Sequence, residues 1–263
     1  MLWLGISLWG DNDLAERSGG MKQKQISMLD VSFSYEDKKD ILKEITFEVS
    51  ENESIGIIGA NGVGKSTLLK LLVGLNTGYR GKIYIDDILV NKKNIHLVRE
   101  KIGYVFQESD NQLFMSTVYD DVAFAPKNYG FPDEEVERRV NEALNMVGIE
   151  HLKGERNYKL SGGEKKLVSI ATVLSMKPNI ILMDEPSASL DPRNRRNLIN
   201  ILNEFNHLKL IASHDLDFIL DTCERTILMY NGRIVKEAKT KDILNDKKIL
   251  EENGLELPLR YYK

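Results

Sequence analysis

The sequence predicts an α/β fold in which short buried strands alternate with amphipathic helices, and three observations predict it. Apolar runs too short for helices recur along the 263 residues: Ile55-Gly56-Ile57-Ile58, Ile102–Phe106, Ile180–Met183, Leu208–Ala212 and Thr226–Tyr230. They read as core strands of a largely parallel sheet covered on both faces. Between them lie apolar stripes at helical spacing, in Leu68, Leu69, Leu71 and Leu72, in Val136, Val140, Leu144 and Val147, and in Leu198, Ile201, Leu202 and Phe205. A glycine-rich loop joins the first such strand to the first such helix.

Taken in order, Ser27–Phe33 is strand-like. Ile41–Ser50 then alternates, with Ile45, Phe47 and Val49 on one side and polar residues on the other. That is the pattern of an N-terminal antiparallel β-subdomain. Pro132-Asp133-Glu134-Glu135 opens a helix with acids at its positive end, and Gly148 follows its last turn. Residues from about 110 to 165 therefore read as a helical subdomain inserted between two core strands. The expected organisation is one multi-lobed domain over residues 21–240 and a short helical tail over 241–263. Residues 1–20 read as an extension or a mis-assigned start, since Met21 precedes the first strand and Ser18-Gly19-Gly20 fits a purine-rich ribosome-binding site translated as codons. The alternative is an amphipathic tip that touches a membrane.

Bulk properties narrow the function classes. A hydrophobic content of 42%, 29% charged residues and a net charge of −4 are ordinary for a globular protein and give no whole-chain pull toward nucleic acid. The apolar stretch MLWLGISLW falls well short of the ~20 residues that span a bilayer, and it lacks the flanks of a signal peptide. The lone cysteine, Cys223, cannot form an internal disulfide, which fits a reducing compartment, and its expected role is packing.

The loop is Gly59-Ala60-Asn61-Gly62-Val63-Gly64-Lys65-Ser66, followed by Thr67. Its glycines let backbone N–H groups wrap phosphates, Lys65 reaches the β- and γ-phosphates, and Ser66 offers a hydroxyl to Mg2+. Strand, loop and helix in that order identify a P-loop NTPase core. A second element, Ile180–Met183 followed by Asp184 and Glu185, is a buried strand that delivers two carboxylates to its carboxyl end, where ligands of α/β sheets sit. Asp184 is expected to hold Mg2+, directly or through water, and Glu185 to orient or deprotonate the attacking water. A third, Leu160-Ser161-Gly162-Gly163-Glu164, combines a hydroxyl, two glycines and a helix start into a second phosphate-binding surface. Single residues say less on position alone. Gln107 ends a strand where its amide can meet Mg2+ or water, His214 follows a strand where it is either a γ-phosphate contact or a surface residue, and Tyr35 either stacks on adenine or packs a core edge.

The ordered set Tyr35, GANGVGKS, Gln107, LSGGE, IILMDE, Ser189-Leu190-Asp191 and His214 resembles the ATP-binding-cassette (ABC) ATPases, with a RecA-like core. The resemblance implies ATP and Mg2+ as cofactors, Tyr35 stacked on adenine, and Gln107 coupling the site to a partner. It also implies Glu185 as catalytic base, His214 as γ-phosphate contact, and Ser161 and Asp191 acting in the opposite subunit's site. Residues 110–130, LSGGEKK and MDEPSASLDP resemble more narrowly the ATPases of energy-coupling-factor importers, including the cobalt and nickel group. This implies a second ATPase subunit, a copy or a paralogue, a transmembrane coupling protein with a substrate-binding membrane subunit, and a peripheral position on the cytoplasmic face of the membrane. Leu113, Phe114, Met115 and Val118 are then expected to line the docking groove, or to be helical-subdomain core. The alternatives are another ABC transporter, such as an exporter, and a soluble ABC ATPase, a class that usually carries two cassettes or long insertions. Lys65, Asp184, Glu185 and His214 together speak against a non-hydrolysing sensor.

One position departs from the family pattern. Glu164 stands where most cassette ATPases carry glutamine. A carboxylate beside a γ-phosphate repels it unless Lys165 or Lys166 offsets the charge or the side chain turns outward. The expectation is that Glu164 points away and leaves activity intact.

Overall fold

The computed structural model describes residues 23–36 and 40–262, so the expectation for residues 1–20 lies outside the described residues. The elements run β1 (Lys24–Phe33), β2 (Leu42–Ser50), β3 (Ser54–Ile58), α1 (Lys65–Leu72), β4 (Arg80–Ile85), β5 (Ile88–Leu89), α2 (Ile95–Lys101) and β6 (Ile102–Val105). They continue with α3 (Val118–Asn128), α4 (Asp133–Met146), α5 (Gly162–Leu174), β7 (Ile180–Asp184), α6 (Pro192–Glu204) and β8 (Leu208–Ala212). The chain closes with α7 (Leu216–Thr222), β9 (Arg225–Tyr230), β10 (Arg233–Lys239), α8 (Thr240–Leu244) and α9 (Lys247–Glu252).

Two sheets organise these elements. The larger has strand order β10-β9-β3-β8-β7-β6. Its pairs β9–β3, β3–β8, β8–β7 and β7–β6 are parallel, and only β10 runs antiparallel, at the edge. Strands β3, β7 and β8 are buried at every position, as continuous apolar runs between two helical layers require. The edge strand β10 is Arg-Ile-Val-Lys-Glu-Ala-Lys, whose outward charges protect it against pairing with another chain. The smaller antiparallel sheet, β2-β1-β4-β5, buries Ile45, Phe47 and Val49 as the alternation predicts. Helix α1 packs between the sheets with Leu68, Leu69, Leu71 and Leu72 at 0% exposure.

The sequence reading missed β4, β5 and β10. Asp86 and Asp87 form the β4–β5 hairpin turn with φ of 45° and 64°, a geometry that sequences more often mark with Asn-Gly. Asn231-Gly232 does carry that mark between β9 and β10, so β10 was legible. Strand β6 stops one residue earlier than expected because Gln112 Oε1 accepts the Phe106 N–H at 3.1 Å, which takes the donor the next ladder position needs.

Between β6 and β7 lie α3, α4 and α5. Val136, Val140, Leu144 and Val147 are buried there, as their stripe predicts, and Cys223 is buried in the same core cluster. For Val118 the structure gives the helical-subdomain core reading rather than the docking groove. This residue is fully buried at the first turn of α3, whereas Phe114 is 66% exposed. Thr117 caps α3 by accepting the Asp120 N–H, which turns the following side chain inward.

The packing of α1 generates a first test. Leu69→Ala is expected to destabilise the protein by about 2–5 kcal/mol, from lost burial plus the cavity left behind. Urea unfolding measures this, and an unchanged midpoint contradicts the packing described.

Candidate functional site

The P-loop leaves β3 at Ile58 and enters α1 at Lys65. Gly59 has φ +152°, and a Cβ there would sit 2.5 Å from the Met229 carbonyl oxygen, so the loop's first turn admits only glycine. Among the described residues no side chain caps α1, which leaves the N–H groups of its first turn pointing into the loop's concavity. This is the arrangement that binds phosphate. Lys65, 7% exposed, donates from Nζ to the carbonyls of Gly59 (2.7 Å) and Ala60 (3.3 Å). Burial lowers the pKa of its ammonium, while Glu185 and Asp184 nearby act to raise it.

The carboxylates arrive from β7. Ser66 Oγ donates to Asp184 Oδ1 at 2.9 Å, and the Tyr104 hydroxyl approaches Oδ2 at 3.5 Å. Asp184 is 1% exposed, and its pKa is raised first by burial and then by the adjacent Glu185, with Ser66 opposing. Tyr104 shifts upward too, by burial and by that carboxylate. A buried acid and a hydroxyl converging as hard oxygen donors suit Mg2+, and the residues present fit that ion.

Glu185 follows in the left-handed region at φ 47°, a costly conformation for a residue with a side chain and one that tends to occur at functional sites. Its carboxylate accepts from Ser213 Oγ (2.9 Å) and from the His214 N–H (3.0 Å), and His214 Nδ1 lies 2.9 Å from Oε2. The His214 side chain is otherwise 64% exposed, with its far edge free to meet a ligand.

A cleft of 480 Å3 is lined by Tyr35, Ile41, Asn61, Gly62, Gly64, Lys65, Ser66, Thr67, Gln107 and Glu185. Its size suits a small-molecule ligand. Tyr35 stands at the rim, edge-on to Phe33 at 4.9 Å, with its hydroxyl accepting from Asn76 Nδ2 (3.0 Å) and 3.3 Å from Thr67 Oγ1. The core-edge reading of Tyr35 and its position at the cleft therefore hold together.

Ser161, Gly162, Gly163 and Asp191 do not line this cleft. Ser161 is the N-cap of α5, and a Cβ on Gly163 would approach the Ser189 carbonyl oxygen to 3.0 Å. Asp191 caps α6 by accepting from the N–H groups of Arg193 (2.8 Å) and Asn194 (3.0 Å), bonds that lower its pKa.

The ABC transporter family matches residues 42–188, more than half of the chain. The chain belongs to the ABC transporter family of ATPases. It is 41% identical, over 89% of its own length and 87% of the relative's, to the energy-coupling factor transporter ATP-binding protein EcfA of Carboxydothermus hydrogenoformans. Two other relatives, in Geobacter sulfurreducens (46% identical over 91% of this chain and 96% of the relative) and Streptomyces avermitilis (38% over 88% of each), are described only as "putative ABC transporter ATP-binding protein". Among solved structures it resembles cbiO1 of Clostridium perfringens, part of the ABC transporter complex cbiONQ, with TM-score 0.77 and 35% identity over 88% of this chain and 94% of that one. It also resembles a dimeric ATP-binding cassette in a post-hydrolysis state with ADP and Pi, with TM-score 0.75 and 27% identity over 82% and 98% of the two chains. The chain is thus an ABC ATPase with a P-loop NTPase core, an antiparallel sheet and a helical subdomain.

The roles of three residues of this cassette escaped the sequence reading. Ser213 carries no motif of its own and is recognised only through its bond to Glu185. Lys166, 2% exposed, donates to the carbonyls of Phe106 (3.0 Å) and Gln107 (2.6 Å) and so ties α5 to the residue behind the cleft. Gln112 does the same from the other side, donating from Nε2 to the Ser169 carbonyl (2.7 Å) and Thr172 Oγ1 (2.8 Å). Neither candidate lysine offsets Glu164, because Lys165 pairs with Asp110 at 2.7 Å. In the single chain Glu164 does not turn outward as expected. Its carboxylate folds back onto Ser161, whose N–H and Oγ both lie 2.7 Å from Oε2.

Lys65→Met is expected to weaken ATP binding by about 2 kcal/mol or more, roughly thirtyfold or more in Kd. Titration with a fluorescent nucleotide reads this, and an unchanged Kd contradicts the role given to Lys65.

Proposed function

We propose that this chain is the energising subunit of a membrane importer of the energy-coupling-factor type, working as a head-to-tail pair of cassettes. The observation that carries the paired mechanism is the separation within one chain. Tyr35, the P-loop, Gln107 and Glu185 share a cleft with His214 on its acid, while Ser161, Gly162, Gly163 and Asp191 stand outside it. Two cassettes related head to tail bring the second set of one to the cleft of the other. The second cassette is a copy of this chain or a paralogue. The importer reading is supported by the 110–130 segment and by the likeness to EcfA and cbiO1.

In this mechanism the α1 N-terminus and Lys65 hold the phosphates of ATP. Ser66 and Asp184, with Gln107 at the cleft wall, would hold Mg2+, which would draw charge from the phosphate oxygens. Glu185 orients the attacking water and accepts its proton. Ser213 and the His214 N–H fix the Glu185 carboxylate, and the exposed edge of His214 contacts the γ-phosphate. Tyr35 stacks on the adenine. Hydrolysis then removes the contact that keeps the two cassettes together.

Motion reaches the membrane through the Gln107 segment and the patch beside it. Phe114 and Phe124 stack edge-to-face at 4.8 Å and are 66% and 41% exposed. Next to them Leu113, Phe114, Met115, Arg156 and Tyr158 line a hollow of 300 Å3. An exposed aromatic pair with an adjoining hollow suits a helix of the coupling protein. That assembly puts the cassette at the cytoplasmic face of the membrane. Among the described residues no helix is long and apolar enough to cross one. The cargo, selected by the other subunit, is a metal ion such as cobalt or nickel, or a vitamin.

Glu185→Gln retains ATP binding but slows hydrolysis, so it is expected to trap an ATP-bound pair at twice the monomer mass by size-exclusion chromatography with light scattering. A persistent monomer at saturating ATP, with the membrane partner present, contradicts the proposal.

A further inference from the structure

The first turn of α5 already holds an anion, and that anion belongs to the chain itself. Ser161 Oγ accepts from the Glu164 N–H at 3.3 Å, as an N-cap does. Glu164 Oε2 answers by accepting the Ser161 N–H and the Ser161 hydroxyl, both at 2.7 Å. The first of these completes a capping box. The second goes further, because a serine hydroxyl has one proton, and here it is spent on the carboxylate. The two Ser161 donors that an incoming phosphate oxygen would use at this helix terminus both serve Glu164.

The carboxylate is charged at neutral pH. The Ser161 N–H first, and then the Ser161 hydroxyl, hold its pKa below the usual carboxylate range. The two lysines that follow it do not neutralise it. Lys165 is paired with Asp110, and Lys166 is turned inward to the carbonyls of Phe106 and Gln107.

We infer that Glu164 competes with the γ-phosphate of the partner cassette's ATP for the Ser161 donors and thereby sets how much ATP is needed to close the pair. This rests on the reading that Ser161 acts in the partner's site. Closure then requires the carboxylate to release the Ser161 hydroxyl and swing away from the arriving phosphate. Whatever repulsion remains opposes the closed state. Two unit charges about 4 Å apart, screened as in water, shift an equilibrium roughly fivefold, and more where water is excluded. Glu164 is a positioning residue in this account, since it acts on the nucleotide through Ser161.

Two substitutions separate the charge from the cap. Glu164→Gln is isosteric and keeps an oxygen that accepts from the Ser161 N–H, so the capping box survives without its charge. Glu164→Ala removes both charge and cap. If charge is what matters, both variants lower the ATP concentration for half-maximal association in a Glu185→Gln background at least about fivefold. Both also lower the KM for ATP of the assembled transporter without raising kcat. If Glu164 only caps α5, Glu164→Gln behaves like the parent while Glu164→Ala lowers the Tm and raises KM, and the inference falls. Association that requires the same ATP in all three proteins overturns the inference alone. Failure of every variant to associate at saturating ATP overturns the paired-site reading beneath it. The measurements are sedimentation velocity across an ATP titration, steady-state ATPase kinetics and thermal unfolding of each variant.

Discussion

Everything at this site hangs on one row of the parallel sheet. Ala212 of β8 pairs with Ile57 of β3 on one side and with Asp184 of β7 on the other. Within two residues beyond that row, three chemistries emerge together. The P-loop begins after Ile58, Glu185 follows Asp184, and Ser213 and His214 follow Ala212. The row is continued by the Ser213 N–H on the Ile57 carbonyl (3.1 Å) and by the Glu185 N–H on the Ala212 carbonyl (2.9 Å). Because a one-residue slip in a strand would turn its side chains to the opposite face, this register fixes which carboxylate meets Ser66 and which meets His214. The left-handed turn at Glu185 is the strain accepted for bringing the second carboxylate back onto His214.

Several charged groups already have partners inside the chain. Lys65 lies on two carbonyls of its own loop, Asp184 takes the Ser66 hydroxyl, and Glu164 takes the donors of Ser161. The first two satisfy polar groups, Lys65 and Asp184, that would otherwise be costly to bury, and all three are made by atoms that the proposed mechanism assigns to the nucleotide or its ion. Binding is therefore an exchange of partners. Lys166 and Gln112 add a mechanical link, because they bind α5, which begins at the signature Ser161, to the segment carrying Gln107.

Much of this was legible in the sequence. The P-loop, the apolar run ending in Asp184-Glu185 and the LSGGE turn are local patterns whose chemistry follows from residue type and spacing, and the core strands declare themselves as short apolar runs. What was not legible depends on tertiary proximity. Ser213 is an ordinary serine until Glu185 lies 2.9 Å away. Lys166 looks like a surface charge until its helix packs against the end of β6. The β4–β5 hairpin hid behind an Asp-Asp turn. Glu164 misled for another reason. Electrostatics alone sends a carboxylate away from a phosphate site, whereas the same helix terminus that attracts phosphate attracts the carboxylate three residues along. The capping-box pattern Ser-x-x-Glu was present in the sequence and predicts the observed contact.

The central claim is that the nucleotide site is completed by a second cassette. A cross-link tests it most directly, with Asn61→Cys in one copy and Gly162→Cys in another, both in the Glu185→Gln background. Asn61 lines the cleft, and a Cβ at Gly162 meets only ordinary contact, with Ser189 Cβ at 3.8 Å. The native Cys223 is buried and its thiol is pushed up to about 12, so it does not compete under mild oxidation. The account predicts a disulfide-linked species of two chains that forms with ATP and is lost without it. A yield independent of ATP, or no cross-link at saturating ATP, would contradict it.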